Sequence, residues 1–541
     1  MNYTKHAIHF FLLMLLIPLA GCIKSEDFDF NKIQKMEWNP TIAVPLVSSN
    51  LTIMDMIRQM NDSSSFVIDD KGFVTLVYKD RLFSVSPASA FTIPTDSFAL
   101  SHTFTQAEIA TITDFGSLTI PYEQNIKLTP ADSIRIDSLI YGTGDLTLTM
   151  SGTVTNNGSI AFSIPEAKKN GIPFSTTFTP LVNGSKTIDL SGYKFDLTKV
   201  NGKPSTFRLS ATLTITNTAA DPVVAGDVIS FNIAQHTKSI QVLSGFLGQV
   251  LLKTDSKSTD INLFNNTMTV GDFILVNPYF IFTFHNSIGL PVNLRFTEIK
   301  GKSKDDLLPS VNLIGNPGIP DPIDILSPSY ADADPVKVTT VRIDNVGTDG
   351  AISRLLNLLK PGNFIYSFKS TANPYGEQTE NFLRDSGKLD LDVEFGLPFY
   401  GLVKDFVVQD TAAFKFDSID EVESVIFRTI IDNEFPIEAG MQIYFTDENY
   451  TRLDSLVNSG DQVIIPPADV DLNTGELIKA EQKMNFFSYS RNRIENILSA
   501  KKILIKAKLN TSGLATQNIK IYNYYKLKVK LAAEIEIKKK I

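Results

Sequence analysis

Strict alternation of apolar and polar residues is the feature that most constrains the fold of this 541-residue chain. The alternation runs over residues 207–215 without a break, and it recurs at 146–150 and 526–531. A period of two residues places one set of side chains on each face of an extended strand. The pattern therefore predicts half-buried β-strands along most of the chain.

Helical patterns are few and short. We expect helices at residues 50–60, with Asn50 as the N-cap, at 353–360, where Pro361 and Gly362 follow, and at 489–500. The predicted fold class is all-β, with tandem β-sandwich domains of the immunoglobulin kind and a few short helices.

A degenerate repeat supports the tandem arrangement. Four strand-like segments end at asparagine and are followed by a short turn and a second strand; the asparagines are Asn156-Asn157, Asn217, Asn286 and Asn433. Asparagine tolerates left-handed backbone and hydrogen-bonds to its own turn, which suits a position where a strand must reverse. Two copies add a proline, Pro291 and Pro436. Similar modules in one chain predict repeated sandwich domains.

The only cysteine of the chain, Cys22, follows an apolar stretch from Phe10 to Leu19 and a basic start at Lys5. This arrangement is typical of a secretory signal, and the stretch is too short to remain as a membrane span. The sequence Leu19-Ala20-Gly21-Cys22 resembles the lipobox of bacterial lipoproteins. The resemblance implies cleavage between Gly21 and Cys22 and acylation of the Cys22 sulfur, so no disulfide is expected within the chain.

The short segment after the cysteine indicates a cellular location. Residues 23–29 are short, polar and acidic, and they resemble the acidic export signal of Bacteroidota surface lipoproteins. More than one acyl chain gives stable anchoring without a transmembrane helix. We therefore expect an outer-membrane protein that is lipid-anchored and faces the cell exterior.

A wider resemblance supports both fold and location. The segment from Asn277 to Pro291 is similar to the sandwich domain of late-embryogenesis-abundant (LEA) type 2 proteins. With the lipobox, the tether and the opening residues 38–46, the chain resembles large uncharacterised cell-surface lipoproteins of Bacteroidota. The resemblance brings no catalytic residues.

The organisation predicted from these features has seven parts. They are a signal peptide at 1–21, a lipid-anchored acidic tether at 22–45, a β-rich domain at 46–125, a β-sandwich at 126–235, an LEA-like β-sandwich at 236–345, a helix and loop connector at 346–400, and a C-terminal β-sandwich with lysine-rich last strands at 401–541.

Charge and composition argue against several function classes. The net charge is −9, and residues 501–541 carry eleven lysines against two glutamates, so the rest of the chain is strongly acidic. An acidic body is poorly suited to phosphate backbones, and we expect no nucleic-acid partner. The lysine-rich end is interpreted as the exposed face of a final edge strand, or alternatively as an attachment to anionic headgroups. The histidines left after the signal, His102, His236 and His285, are widely spaced, and the sequence predicts no catalytic set, no enzyme activity and no cofactor.

One acidic loop has the oxygen spacing of a calcium site. Asp469, Asp471 and Asn473 alternate, but the glycine comes one place late for the helix-loop-helix pattern, and Ala480 stands where a bidentate glutamate should be. A solvated hairpin turn is the favoured interpretation, and the metal site stays a weak candidate.

Five positions resemble the Asp-Ser/Thr-aliphatic O-glycosylation site of Bacteroidota. The candidate acceptors are Ser133, Ser138, Thr411, Ser418 and Ser455. Aspartate and serine also occur at strand entrances for local reasons, so a purely structural role is the alternative.

The functional hypothesis is a non-enzymatic binding or structural module. Its partner is the membrane through the N-terminal lipid, together with an unknown protein, glycan or lipid. The Phe-rich segment 279–284 raises the alternative of a carrier for lipid or another hydrophobic ligand, which would need an open apolar groove. A carbohydrate-binding or glycan-processing accessory protein is the other alternative, although a single Trp speaks against sugar stacking.

Overall fold

The computed structural model describes most of the chain from Glu37 onward. The described residues are 37–38, 41–53, 64–86, 96–128, 133–154, 158–179, 181–198, 200, 202–218, 220–253, 255–261, 272–304, 307–332, 335–359, 362–378, 380–415, 422–458, 460–471, 473–511, 518–537 and 539–540. The chain is 63% strand and 6% helix over these residues. The predicted all-β fold class of packed sandwiches with a few short helices is confirmed.

The chain divides into two compact units. Unit 1 contains residues 1–59, 268–271 and 403–541, and unit 2 contains residues 60–267 and 272–402. The seven-part organisation predicted from the sequence stays a prediction.

Unit 2 contains a large sheet of ten strands. Its strands are β5 (Asp96–Thr103), β6 (Ser117–Lys127), β7 (Arg135–Gly152), β8 (Gly158–Lys169), β9 (Ile172–Phe178), β10 (Gly184–Asp189), β11 (Lys194–Asp196), β12 (Thr206–Thr216), β13 (Val228–Phe246) and β23 (Asn381–Arg384). Helix α1 (Gln106–Phe115), which the sequence patterns did not predict, begins with a capping box between Thr105 and Glu108.

Unit 2 also contains a sandwich of two sheets, called sandwich A. One sheet has the order β21-β17-β24-β4-β3, and the other has the order β14-β22-β18-β19, with β15 beside β22 and β20 beside β18. The strands are β3 (Ser64–Ile68), β4 (Val74–Val85), β14 (Val250–Lys253), β15 (Lys257–Ile261), β17 (Tyr279–Asn286), β18 (Val292–Ser303), β19 (Val311–Asn312), β20 (Ile323–Ile325), β21 (Lys337–Asp344), β22 (Gly362–Ala372) and β24 (Leu389–Pro398), with helix α2 (Ala351–Leu358) before β22.

Unit 1 contains a second sandwich, called sandwich B. Its sheets have the orders β2-β36-β27-β33 and β26-β34-β28-β29, with β30 beside β28. The strands are β2 (Thr41–Thr52), β26 (Phe406–Ala413), β27 (Val422–Asn433), β28 (Glu438–Thr446), β29 (Arg452–Ser455), β30 (Val463–Ile465), β33 (Glu481–Ser490), β34 (Lys502–Asn510) and β36 (Lys526–Ile537), with helix α3 (Arg491–Ile497) before β34. The remaining strands are β1 (Glu37–Trp38), β16 (Asp272–Leu275), β25 (Tyr400–Lys404), β31 (Asp469–Val470), β32 (Leu477–Lys479), β35 (Ile519–Lys520) and β37 (Lys539–Lys540).

The two sandwiches share one topology. Strands β17, β18, β20, β21, β22 and β24 of sandwich A correspond in chain order and pairing to β27, β28, β30, β33, β34 and β36 of sandwich B. Strand β4 completes the first sheet of sandwich A where β2 completes that of sandwich B, and helices α2 and α3 occupy equivalent places in the chain. The predicted module repeat is therefore present as a duplicated sandwich.

In each sandwich, a buried asparagine lies at the corner where the chain passes from one sheet to the other. The side chain of Asn286 accepts from the Ile288 amide at 2.9 Å and donates to the carbonyls of Leu290 and Leu326 at 3.0 and 2.9 Å. Asn286 and its counterpart in sandwich B, Asn433, are at most 1% exposed. The chain can turn at this buried position because the oxygen and the nitrogen of the asparagine side chain both have backbone hydrogen-bond partners.

Asn433 repeats these contacts position by position. It accepts from the Phe435 amide at 3.0 Å and donates to the carbonyls of Ile437 and Pro466 at 2.9 and 2.8 Å. The residues Leu326 and Pro466 each directly follow the equivalent strands β20 and β30. The other two proposed copies differ: Asn217 is exposed just after β12, and Asn156-Asn157 lies outside the described residues.

Three other sequence expectations have clear outcomes. The helices predicted at 353–360 and 489–500 are present as α2 and α3. The helix predicted at 50–60 is wrong at its start, because Asn50 belongs to β2 and pairs with Lys528, while residues 54–60 lie outside the described residues. Within the described part of the chain, no helix is both long and apolar enough to span a bilayer.

The lysines of the C-terminal segment lie on a central strand, whereas the sequence predicted an edge strand. Strand β36 lies between β2 and β27, and Lys526, Lys528 and Lys530 point to the solvent side of that sheet. Lys506 and Lys508 belong to β34, in the opposite sheet of sandwich B. The positive charge is therefore split between two sheets rather than gathered in one patch.

Candidate functional site

A polar groove lies on the outer face of sandwich A, across strands β4, β24 and β17. Its volume is about 690 Å³, and it is lined by Lys79, Asp80, Arg81, Thr283, His285, Asp392, Val393 and Glu394. Lys79, Arg81, Thr283, His285, Asp392 and Glu394 lie on the outward side of their strands, next to buried residues that face the sandwich core. Asp80 and Val393 pair with each other between them, and Val393 is 1% exposed. The groove therefore stands on a rigid three-strand platform.

A β-bulge sets the position of the central cation. The register between β24 and β4 shifts so that Leu391 pairs with Phe83 and Asp392 pairs with Arg81. The consecutive residues Leu82 and Phe83 both point into the core, each 7% exposed. The extra residue in β4 thereby aims the Arg81 side chain directly across at Asp392.

Arg81 joins two carboxylates of β24. Its Nε lies 2.8 Å from Asp392 Oδ1 and its second amino nitrogen 3.3 Å from Asp392 Oδ2, while Asp390 is 3.3 Å away. The hydrogen bond to Asp392 raises the pKa of the Arg81 guanidinium, so this cation stays charged. His285 Nε2 lies 3.3 Å from the same Asp392 carboxylate. Three strands thus converge on one carboxylate.

A second row of contacts borders the groove. Lys79 lies 3.0 Å from Glu394, and the Tyr279 hydroxyl donates to the same carboxylate at 3.3 Å. Burial raises the pKa of Tyr279, and the charge of Glu394 raises it further. The guanidinium of Arg342 lies 3.7 Å from the centre of the Tyr279 ring. The row therefore alternates in charge along the sheet.

Gly396 allows the tyrosine to lie flat on the sheet. It pairs with Tyr279 across the strands, and a Cβ at this position would lie 2.0 Å from the ring. With Arg342 on its other side, both faces of the Tyr279 ring are covered. The tyrosine can offer its hydroxyl to a ligand but not a stacking surface.

The groove is suited to holding a polar ligand. Its charged groups are fixed donors and acceptors on neighbouring strands, and Asp390 keeps one buried oxygen, Oδ1, without a hydrogen-bond partner in the structure. Asp390, Asp392 and Glu394 lie side by side on one strand rather than facing each other across a cleft. Among the described residues, no group of three or more His, Cys, Asp or Glu side chains is arranged to hold a metal ion.

The three histidines that the structure describes stay apart, and each contacts a different carboxylate. His102 lies 3.2 Å from Glu108, His236 lies 3.0 Å from Asp145, and His285 belongs to the groove. Sequence reasoning did not find the groove, because its parts come from segments more than 300 residues apart. The only signal in the sequence was His285, one of the three widely spaced histidines.

The calcium-loop candidate forms the tight hairpin between β31 and β32. Backbone amides of Thr474 and Asn473 donate to Asp471 and hold the pKa of its carboxyl below the ordinary value. The Lys520 ammonium donates to the Asn473 carbonyl at 2.7 Å, and the Tyr525 hydroxyl donates to the Gly475 carbonyl. Asp469 lies in β31 itself. Protein donors therefore use Asp471 Oδ1 and the backbone carbonyls of Asn473 and Gly475.

The glycosylation candidates lie in different surroundings. Ser133 and Thr411 are exposed, whereas Ser138 is half-buried and shares a 2.8 Å hydrogen bond with Ser244. Ser455 is 3% exposed and donates to the Val457 carbonyl at 2.8 Å. The structure does not bring these residues together. Ser418 and the proposed lipidation and cleavage residues, Cys22 and Gly21, lie outside the described residues.

Comparisons with known proteins assign no family. No family model matches the chain, and no curated protein matches it. The chain is similar to a solved structure called a "putative secreted protein" from Parabacteroides distasonis, with 11% identity and a TM-score of 0.28 over 92% of this chain and 99% of that one. It is also similar to a structure from Sulfolobus turreted icosahedral virus, with 9% identity and a TM-score of 0.10 over 81% and 96% of the two chains. A third similar structure, the infectious bursal disease virus VP2 particle, has 9% identity and a TM-score of 0.11 over 88% and 84%. These values are too low to transfer a function.

Proposed function

We propose that the protein is a lipid-anchored, non-enzymatic binding module of the bacterial outer membrane that faces the cell exterior. Cys22 carries the lipid, and the polar groove of sandwich A is the recognition face. The observation that carries this proposal is the convergence of His285, Arg81 and Asp392 from three strands around one depression. Nucleic acid and cofactors have no part in it.

The contacts within the groove favour binding over catalysis. Arg81 holds Asp392 through two hydrogen bonds, and Lys79 and Tyr279 hold Glu394. A general acid or base needs a pKa near the working pH and freedom to exchange its proton. Carboxylates that are already paired with cations suit the reversible recognition of hydrogen-bonding groups instead.

The closed cores speak against the hydrophobic-ligand carrier. Phe280, Phe282 and Phe284 of the Phe-rich strand are 0% exposed. Phe280 packs edge-on against Phe395 with ring centres 4.8 Å apart, and Phe282 lies 5.0 Å from Phe296. These side chains fill the space between the two sheets of sandwich A. An apolar ligand would need an open groove in their place.

A polar carbohydrate is the second candidate ligand. Sugar hydroxyls both donate and accept hydrogen bonds, which matches the alternating groups along the groove. The covered ring of Tyr279 removes the stacking platform that many sugar sites use. We also propose that the sandwiches are LEA type 2-like, supported by the corners at Asn286 and Asn433.

Replacing Cys22 by Ser should remove the anchor. In a Bacteroidota host fed labelled palmitate, the parent chain is expected to carry label and to fractionate with envelopes, whereas the Cys22→Ser chain carries none and leaves the envelope fraction. The matched control is Ser25→Ala in the tether, which should keep the label. Protease treatment of intact cells should remove the parent chain. An unlabelled parent chain that still fractionates with envelopes would refute the anchor.

The groove can be tested in the same cells with a benzophenone amino acid at Thr283. Adducts to an envelope component are expected there and not at Ser258, an exposed position on β15 in the other sheet of sandwich A. Adding Asp392→Asn should abolish the adducts while the melting temperature moves by less than about 2 °C, because the Arg81 and Asp392 side chains are 53% and 33% exposed and their salt bridge is screened by solvent. Adducts that persist after Asp392→Asn, or that are equal at both positions, would contradict the proposal.

A further inference from the structure

Strand β33 forms an unusually open edge of sandwich B. It pairs with β27 over all ten of its residues and ends the sheet, and no other described strand pairs with its outer side. An edge strand presents a row of unpaired backbone groups that can accept another strand. Natural proteins usually protect such an edge with charged residues, proline or a bulge.

The second half of β33 lacks this protection. Residues 484–490 carry no charge and no proline, and they include three aromatic side chains. Met484 and Phe486 point to solvent and are 41% and 57% exposed. The buried side-chain nitrogen of Asn485 has no hydrogen-bond partner in the structure. Such a segment has the composition that favours pairing between strands.

The duplicated sandwich provides an internal comparison. Asn286 pairs with Lys337 in β21, and its counterpart Asn433 pairs with Glu481 in β33, so the two edges can be aligned residue by residue. Counted from these pairs, Arg342 and Asp344 of β21 occupy the positions of Phe486 and Ser488 of β33. The same scaffold therefore carries charges on one edge and an exposed aromatic residue on the other.

We propose that β33 is an interface for a second copy of this chain. Two β33 strands pair antiparallel, with Phe486 of each copy at the two-fold axis, and join two four-stranded sheets into one of eight strands. In this register Glu481, at the start of β33 in one copy, comes next to the end of β33 in the other, where Arg491 begins helix α3. The symmetry repeats this approach at the other end of the interface. No like charges meet within the uncharged segment, so the pairing carries no repulsion there.

The charged residues at the two ends of the proposed strand pair support a second copy as the partner. Arg491 is 64% exposed and forms a salt bridge of 3.5 Å with Glu495, itself 61% exposed, within its helix. Glu481 contacts Lys479 at 2.7 Å. Both charged groups can reach across the new interface without unpairing a buried charge. A second copy supplies the complementary charges at both ends, which an unrelated strand would do only by chance.

Single cysteines test the register. Phe486→Cys places two thiols opposite each other in the proposed pair, so oxidation should yield a disulfide-linked dimer on a non-reducing gel. Thr340→Cys, an exposed position on β21, is the matched control and should give no more dimer than the parent chain, whose only cysteine is Cys22. Equal dimer from both variants, or none from Phe486→Cys, would overturn the proposed register.

A charge at the edge tests the interface itself. In sedimentation of the detergent-solubilised full chain, Phe486→Asp should raise the dimer dissociation constant at least tenfold, and Thr340→Asp should leave it unchanged. The variant is expected to keep its fold, since the new carboxylate lies near Arg428, whose guanidinium is 5.8 Å from the Phe486 ring. An unchanged circular dichroism spectrum checks this. A parent chain that sediments as a monomer at about 50 µM would overturn the proposal.

Discussion

Asn286→Asp is expected to destabilise sandwich A by at least about 4 kcal/mol, although the two side chains have nearly the same shape. The asparagine amide donates to the carbonyls of Leu290 and Leu326. An aspartate has no such donors, so its charge would lie buried against two carbonyl oxygens. Both carbonyls would also lose their partner, which adds the cost of unsatisfied buried acceptors.

The effect should depend on pH in a defined direction. Burial without a cation raises the pKa of the carboxyl introduced by Asn286→Asp above its value in the unfolded chain. The protonated acid carries no charge, so the penalty is smallest below the unfolded pKa of about 4 and grows as the pH rises towards the folded pKa. Asn286→Ala should lower the free energy of unfolding by about 3 kcal/mol at every pH, because it removes all three side-chain hydrogen bonds without adding a charge.

Local hydrogen exchange is the sharpest measurement of this corner. The amide of Ile288 donates to Asn286 Oδ1, so its peptide should lose protection most directly in Asn286→Ala, which removes this acceptor. Asn286→Asp keeps the acceptor, so there the peptide should lose protection only through the overall destabilisation of the corner, and urea unfolding gives the free-energy change of both variants. The control is Asn217→Ala, at an exposed asparagine after β12, which should shift stability by less than about 0.5 kcal/mol. If the Asn217 and Asn286 variants lost similar amounts of stability, the corner hydrogen bonds would not be the cause of the Asn286 effect.

The corner was also the part of the fold that sequence reasoning predicted best. The motif of strand, asparagine, short turn and proline identified Asn286 and Asn433, because a buried reversal needs a side chain that satisfies its own turn. The same motif without proline predicted a corner at Asn217, but this residue is exposed at the end of a strand. A single strand-ending asparagine therefore does not distinguish a corner from an ordinary loop.

The strand-by-strand duplication could not be predicted from the residues. At equivalent outer positions of the central strands, Asp390 and Asp392 of β24 correspond to Lys528 and Lys530 of β36, counted from the pairs Asn286–Leu389 and Asn433–Leu527. Outward side chains are free to change sign, whereas the inward ones need only be apolar. The topology persists although these surface residues have changed.

The groove was hidden for a different reason. Arg81 reaches Asp392 only because β4 and β24 are neighbours, and a bulge at Leu82 sets the register. Sequence alternation predicts which residues face solvent, but it does not specify which strands pair or where a register shifts. His285 could be placed on a strand face from its sequence, while its carboxylate partner could not.

Phe280→Ala is expected to lower the free energy of unfolding by about 4 kcal/mol. A loss of this size distinguishes a closed core from one that binds a ligand. The ring is fully buried and packs edge-on against Phe395 and Phe364, with centres 4.8 and 6.1 Å away. Removing it leaves a cavity that the rigid sheets cannot close, so the transfer and cavity terms add. In a carrier with an open apolar groove, a larger space would be tolerated and apolar ligand uptake would rise.

The neighbouring residue Ile281 provides the matched control. It lies on the same strand but faces outward and is half-buried, so Ile281→Ala should cost about 1 kcal/mol. Urea unfolding of both variants gives the free-energy changes, and fluorescence of a bound fatty-acid analogue reports ligand uptake. A small cost for Phe280→Ala, together with increased uptake of the analogue, would favour the hydrophobic-ligand carrier. A large cost without uptake leaves the polar outer face of sandwich A as the surface available for recognition.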